Sequence, residues 1–240
     1  MAGEFPPALA HGAIEEIFPD IFQVSGAIVM MRLGFDRNMT ILRHDGKLTL
    51  VNTVRLDDAG LAALDALGQV EHVMRLGFFH GRDDAFYMDR YKGKAKFWAI
   101  PGHQHGHGLV PDVEMTEDTE LPIPGASLFV FKTVDKPEAI LHLDREGGIL
   151  IPCDVLQNWT HASQYFSFFG KLVMRVMGFF KPANVGPGWI KMAKPKPEDF
   201  ARLNALAYKH VLPAHGSPVK NTAHEEYAAT FQRLFGVTPG

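Results

Sequence analysis

The alternation of hydrophobic and polar residues in the first third of the chain predicts β-strands. Ile21 to Val29 alternates loosely, and Met39 to Val54 contains two β-rich runs that are separated by Asp45 and Gly46. An Asp-Gly pair between two such runs is typical of a tight hairpin, because both residues tolerate the positive φ angles of a two-residue turn. We therefore expect two antiparallel strands that meet at this pair.

The next segment has helical periodicity. Three leucines recur at helical spacing, namely Leu61, Leu64 and Leu67. Asp57 or Asp58 can cap the start of this helix, and Gly68 can end it. A short apolar strand, His72 to Leu76, is expected to follow.

The rest of the chain alternates between strands and helices. Further strands are expected over residues 96–100, 127–134, 139–143, 148–152 and 210–213, and helices over 165–180, 197–209 and 221–235. The Gly- and Pro-rich stretch from Pro182 to Pro197 is interpreted as a loop. This order predicts a single mixed α/β domain over residues 1–240, with helices outside packed strands.

Composition narrows the class of protein. Hydrophobic residues make up 46% of the 240 residues and charged residues 21%, which is ordinary for a soluble globular protein with its own core. The net charge of −3, without a Lys/Arg block, argues against nucleic acid as a partner. The single cysteine, Cys153, excludes an intrachain disulfide, and the N-terminus lacks a secretion-signal pattern, so a cytoplasmic location is expected.

Tyr165 to Phe180 is the most apolar stretch of the chain. It is too short to span a bilayer, which takes about 20 apolar residues, so no membrane span is expected. Lys171 and Arg175 stand one helical turn apart within it, which favours an amphipathic helix. Three roles stay open for this helix: packing in the core or in a homodimer, lining a substrate pocket, and contact with a membrane surface.

Four polar clusters lie directly after predicted strands. They are His80 to Asp84, Asp135, Cys153-Asp154, and His215-Gly216. Loops at strand ends carry the sites of α/β folds, and imidazole with carboxylate is a ligand set for zinc, iron or manganese. Taken singly each cluster is a weak signal, because an Asp after a strand is usually a turn or cap residue.

The order of these clusters resembles the metallo-β-lactamase superfamily. Residues 80–85 fill the place of the family's H-x-H-x-D-H motif, Ile149 to Asp154 fills that of an apolar strand ending in Gly-Asp, and Val211 to Gly216 that of a short strand ending in Gly-His. The resemblance covers roughly residues 15–220. It implies a four-layer αββα sandwich and a metal-dependent hydrolase-like protein.

The family motif is only partly kept. His80 matches its first His and Asp84 its Asp, although Asp83 is the alternative, whereas Arg82 and Ala85 replace its second and third His. Asp135 stands near the place of the family's later His, and Asn52 replaces an early Asp, while Asp154 and His215 are kept.

Three interpretations of this remnant stay open. One divalent metal, zinc or iron, is held by His80, Asp84, Asp154 and His215, with Asp135 as a further candidate, and activates a water. Asp84 or Asp83 then orients that water or moves its proton, and Arg82 contacts the substrate anion. Alternatively, Arg82 replaces the lost cation by pairing with Asp84 and Asp154, or it binds an anionic small molecule without chemistry.

The leading hypothesis is hydrolysis of an ester, lactone or amide whose apolar part contacts Trp159 and Trp189. The alternative is a catalytically inactive small-molecule-binding or interaction protein on the same fold, and oxidation chemistry at a single iron is a third possibility. His103, His105 and His107 are interpreted as a flexible loop or as donors of a replacement ligand. Cys153 is interpreted as a packed, unreactive thiol.

Overall fold

The computed structural model describes residues 5–30, 33–102 and 105–238. Seven strands form the first sheet in chain order: β1 Glu15–Phe18, β2 Ile21–Met30, β3 Leu33–His44, β4 Lys47–Val51, β5 Gln69–Arg75, β6 Lys96–Ala99 and β7 Val113–Glu114. Strands β1 to β4 are antiparallel neighbours, and β4 to β7 are parallel neighbours.

The predicted hairpin and helix of the first third are both present. His44 pairs with Lys47, and Asp45 and Gly46 between them have φ angles of 48° and 72°, as a tight two-residue turn requires. Helix α1, Asp58–Leu67, connects the parallel strands β4 and β5. The side chain of Asp57 caps this helix by accepting a hydrogen bond from the Gly60 N–H.

The second sheet contains four strands: β8 Ala126–Val130, β9 Ala139–Leu143, β10 Ile149–Ile151 and β13 His210–Val211. Their order in the sheet is β13-β10-β9-β8, and a small separate pair is formed by β11 Leu156–Gln157 and β12 Asn184–Val185. The other helices are α2 Asp84–Arg90, α3 Phe168–Val176, α4 Pro187–Ala193, α5 Pro197–Asn204 and α6 Ala223–Phe235.

Apolar residues on alternate faces of the strands assemble four layers. In β10, Ile149 and Ile151 face a core shared with the first sheet, whereas Leu150 faces a core shared with α4, α5 and α6. On the far side of the first sheet, Leu64 of α1 and Tyr87 of α2 pack against its outer face. The predicted αββα sandwich is therefore confirmed. Within the described ranges, no helix has the length and apolar character needed to cross a bilayer.

Two segments differ from the prediction. The stretch Pro182 to Pro197 was expected to be a loop, but it contains α4, which starts with Pro187 in the first turn, where proline is tolerated. Trp189 of α4 is buried against Phe131 and Phe200 in the outer core, so it does not line a pocket with Trp159. Helix α2 was not predicted, because its short sequence begins inside the polar His80 to Asp84 segment.

Candidate functional site

The loops that follow three strands converge at one end of the sandwich. His80 lies after β5 of the first sheet, whereas Asp154 and His215 lie after β10 and β13 of the second sheet. The Nε2 atoms of His80 and His215 are 3.1 Å apart. Asp154 places Oδ1 3.2 Å from Nε2 of His215 and Oδ2 3.5 Å from Nε2 of His80. The structure thus brings together three of the residues predicted as ligands.

The imidazole of His215 is held from strand β3. Its Nδ1 lies 2.9 Å from the backbone carbonyl oxygen of Asp36, so Nδ1 carries the proton and the lone pair of Nε2 faces Asp154 and His80. Trp159 packs against the same ring, with 4.8 Å between ring centroids, and its indole N–H donates to the Asp36 carboxylate. Orientation of a metal-ligating His by a carbonyl is a common feature of metal sites.

Burial sets the charge state of the group. Desolvation lowers the pKa of His80 to about 3, although the Asp154 carboxylate opposes this shift. Burial alone raises the pKa of Asp154, but His80 and His215 outweigh it and lower that pKa to about 2. Near neutral pH, therefore, the His80 imidazole is uncharged and Asp154 is a carboxylate, so both offer lone pairs to a cation beside Nε2 of His215.

The spacing of these atoms fits a tetrahedral ion. Bonds of 2.0–2.1 Å to nitrogen and oxygen place neighbouring ligand atoms of a tetrahedron about 3.3–3.4 Å apart. The two imidazole nitrogens are 3.1 Å apart, and each lies 3.2 or 3.5 Å from an oxygen of Asp154, which presents Oδ1 to His215 and Oδ2 to His80; these separations lie around that value. The donor set therefore fits a divalent cation. One departure is Nδ1 of His80, which is buried and has no hydrogen-bond partner.

Cys153 adds a sulfur donor beside this group. One donor atom each from His80, Cys153 and Asp154 lies within 4.8 Å of the other two, and Sγ is 3.5 Å from Oδ2 of Asp154. Burial, followed by the charges of Glu138 and Asp154, raises the pKa of the thiol well above its usual value. The thiol is therefore protonated in the absence of a cation.

Asp83 and Asp84 follow His80 closely in the chain but have other partners. Both are buried. Asp83 contacts the guanidinium of Arg37 and accepts a 2.9 Å hydrogen bond from the Arg55 N–H. Asp84 accepts a 2.6 Å hydrogen bond from the Thr53 hydroxyl, and burial raises its pKa. Their predicted roles in catalysis or metal binding gain no support from these contacts and stay predictions.

The structure places two further predicted residues elsewhere. Arg82 donates to Asp83 at 2.9 Å and to the carbonyl of Pro7 at 3.1 Å, rather than to Asp84 and Asp154 as one interpretation required. Asp135 is more than half exposed and forms a 2.8 Å ion pair with Lys194, at the end of α4. Its surface turn leaves it outside the group around Asp154.

Three buried charged residues were not predicted from the sequence. Arg37 on β3 contacts Asp83, and Arg75 at the end of β5 lies 4.0 Å from Asp84. Glu138 is fully buried and accepts hydrogen bonds from the backbone N–H groups of Asp154 and Val155, at 2.6 and 2.9 Å. Because charged residues usually face solvent, the sequence pattern alone gave little sign that these three are buried.

The histidine-rich loop lies near the first sheet. Nδ1 of His105 is 3.1 Å from a terminal nitrogen of Arg75, and its ring contacts Phe97. The exposed His107 contacts the ring of Phe5. His103 lies outside the described residues, so its predicted ligand role stays a prediction.

Comparison with known proteins identifies the fold. No family model and no curated protein matches the chain. Among solved structures, the metallo-β-lactamase DIM-1 exposed to ceftazidime is 12% identical with a TM-score of 0.64, over 95% of this chain and 98% of that one. A metallo-β-lactamase from Pontibacter korlensis is 14% identical with a TM-score of 0.63, over 92% and 99%. The mono-zinc form of FIM-1 from Pseudomonas aeruginosa is 13% identical with a TM-score of 0.54, over 95% and 97%.

Proposed function

We propose that this chain, which has the metallo-β-lactamase fold, binds one divalent metal ion through His80, Asp154 and His215 and hydrolyses an ester, lactone or amide. The observation that carries the proposal is the convergence of two imidazole nitrogens and a carboxylate within 3.1–3.5 Å of one another. Zinc and iron both accept this ligand set. The mono-zinc form of FIM-1 supports a single ion on this fold.

The charges around the site favour one ion over two. Asp83 and Asp84, which follow His80 in the chain, are already paired with Arg37 and Arg75. The positive charges of both arginines also contribute to lowering the pKa of His80. A second divalent cation on this side would be repelled by two fixed charges and would lack carboxylates of its own.

Residues of the chain orient the metal-binding side chains and determine from which side a substrate reaches the site. A bound ion supplies Lewis acidity and lowers the pKa of a water molecule toward neutrality. The Asp36 carbonyl fixes His215, and the Asp154 carboxylate contributes a negative charge that faces both imidazoles. The Asp154 side chain is 14% exposed against 5% for either imidazole, so substrate approaches from the side of Asp154.

Aromatic rings next to His215 favour a substrate with an apolar part. Trp159 and Phe35 both contact the ring of His215, with centroids 4.8 and 6.0 Å away. They belong to an apolar cluster that also contains Phe166, Met174 and Phe179. An acyl or aryl group of the substrate would bury apolar area against these rings while its polar bond lies at Asp154.

Metal content of the purified protein tests the proposal. The full chain is produced in metal-replete medium as wild type, His80→Gln and His215→Gln, with His210→Gln as the matched control. His210 is buried to the same degree but bonds to the carbonyl of Glu146. We expect about one equivalent of zinc or iron in the wild type and the control, and its loss in both site variants. Metal-dependent turnover of chromogenic ester, lactone and amide substrates should follow the same pattern.

The other outcomes separate the alternatives. Absence of stoichiometric metal from the wild-type protein would overturn the proposal and favour the alternative hypothesis of a catalytically inactive small-molecule-binding or interaction protein. Stoichiometric iron together with oxidation of substrate, and no hydrolysis, would favour oxidation chemistry at a single iron. If His80→Gln and His215→Gln retained metal as the wild type does, the ion would have to bind elsewhere in the protein, and the proposed ligand set would be wrong.

A further inference from the structure

Helix α3 turns most of its apolar residues to solvent. Phe168 is 87% exposed and Val176 80%, and Phe169 and Leu172 are also more than half exposed. We call these four residues the outer face of α3. Several large apolar side chains grouped on one exposed surface mark an interaction site more often than scattered ones do.

The outer face is an apolar stripe with a basic edge. Residues four apart lie on one side of an α-helix, so Phe168, Leu172 and Val176 form a line along α3. Lys171 and Arg175, also four apart and exposed, run beside that line. The opposite side of the helix is buried, where Met174 belongs to the same apolar cluster as Trp159 and Phe35.

The end of the β2–β3 hairpin extends this surface. The N–H of Ser167 donates to the Gly34 carbonyl at 3.1 Å, and the Gly34 N–H donates to the Ser167 hydroxyl at 3.2 Å, so α3 starts on the hairpin. Val29 and Met30, at the end of β2, are also more than half exposed. The outer face of α3 together with these two residues forms what we call the apolar platform.

The segments that build the platform carry positive charge only. Residues 155–181, which include α3, contain three Lys or Arg residues and no Asp or Glu, and residues 21–35 contain no Asp or Glu. This is unusual in a chain whose net charge is −3. The charge pattern complements an anionic surface. It also opposes pairing of the platform with a second copy, because the same basic groups would meet across the interface.

We propose that the apolar platform docks the protein on the surface of a bilayer that contains anionic lipid. The stripe of Phe168, Leu172 and Val176 enters the boundary between headgroups and acyl chains. Lys171 and Arg175 extend along the edge of the stripe to the lipid phosphates, as long basic side chains do at interfaces. The site lies on the other side of the cluster that anchors α3, so a docked protein holds Trp159 and His215 close to the membrane.

Co-sedimentation with lipid vesicles tests this proposal, which does not depend on the metal. The full chain is mixed with vesicles of phosphatidylcholine alone or of phosphatidylcholine with phosphatidylglycerol, at low and high salt. We expect binding to the anionic vesicles that weakens with salt. Lys171→Gln/Arg175→Gln should weaken it about 25-fold, at about fivefold per cation. Phe168→Ser/Val176→Ser should abolish most of it.

Matched surface variants serve as controls. Lys92→Gln/Lys94→Gln removes two exposed cations near α2, and Val110→Ser removes an equally exposed apolar side chain. Both should bind vesicles like the wild type. Absence of vesicle binding, or equal binding by platform and control variants, would overturn the proposal. A dimer in analytical ultracentrifugation that is lost only in Phe168→Ser/Val176→Ser would also overturn it, by making a second copy the occupant.

Discussion

Replacing Glu138 with glutamine removes a buried ionisable group and keeps the carbonyl oxygen that accepts two backbone hydrogen bonds. Oε1 of Glu138 accepts from the N–H groups of Asp154 and Val155, whereas Oε2 is buried with no hydrogen-bond partner. Burial, and then the charge of Asp154, raises the pKa of Glu138 well above 4.5. The side chain thus positions the Asp154 loop as a neutral acceptor over part of the pH range.

The sign of the effect follows from proton binding. Above pH 4.5 the unfolded chain releases the Glu138 proton, whereas the folded chain keeps it until its raised pKa is reached. Folding therefore loses stability as the pH rises, by up to about 1.4 kcal/mol per pH unit in that window. Glu138→Gln has no ionisable group at this position and does not show this loss. The difference in free energy of unfolding between Glu138→Gln and the wild type should therefore shift in favour of the variant as the pH rises above 4.5.

Urea unfolding of the chelator-treated protein at several pH values from 4.5 upward measures this difference. Glu138→Ala should lose about 2–6 kcal/mol throughout, because two buried N–H groups are left without an acceptor at about 1–3 kcal/mol each. Glu114→Gln, at an exposed position on β7, is the matched control and should show no pH-dependent gain. A constant difference between Glu138→Gln and wild type, or one that falls with pH, would refute the reasoning.

Three further substitutions probe the surroundings of the site. As the pH falls from 6.5 toward 3, only the unfolded wild-type chain binds a proton at His80, so the metal-free wild type should lose up to about 1.4 kcal/mol of stability per pH unit. Metal-free His80→Gln should not show this loss, and urea unfolding at each pH measures the difference. Gly216→Ala should lower the free energy of unfolding by more than about 2 kcal/mol, because φ is 85° and the new Cβ would lie 2.1 Å from a backbone oxygen. Gly236→Ala is the control: φ is 69° but the space is open, so the substitution should cost only about 1 kcal/mol. Arg37→Met should lower the free energy of unfolding in the same assay by less than the about 3–5 kcal/mol that an unpaired buried charge costs, because Arg82 still pairs with the buried Asp83 at 2.9 Å. Adding Asp83→Asn should recover part of that loss.

The sequence predicted the fold well where local signals agree with the tertiary structure. The Asp45-Gly46 turn, the cap at Asp57 and the three leucines of α1 are local features, and each is present. The convergence of His80, Asp154 and His215 was predicted from the order of their motifs, which resembles that of the metallo-β-lactamase superfamily, because a polar residue after a strand is by itself a weak signal.

The environment of the site was harder to predict because it depends on distant partners. Arg37 and Asp83 are separated by 46 residues, and only the packed fold shows that they form a buried ion pair. The proline at the start of α4 and the glycines around it conceal that helix in a stretch typical of loops. Asp135 was a candidate because it stands near the place of the family's later His, but its turn lies at the surface with Lys194.

The two imidazoles of the site are separated by 135 residues and follow strands of different sheets. Their meeting therefore requires the two sheets to have come together, and contacts of such long range carry a large loop-closure cost. A transition state for folding in which the sheets are not yet joined offers no complete ligand set. An ion bound here should accordingly slow unfolding and leave the refolding rate unchanged, so that the metal acts on the lifetime of the folded protein.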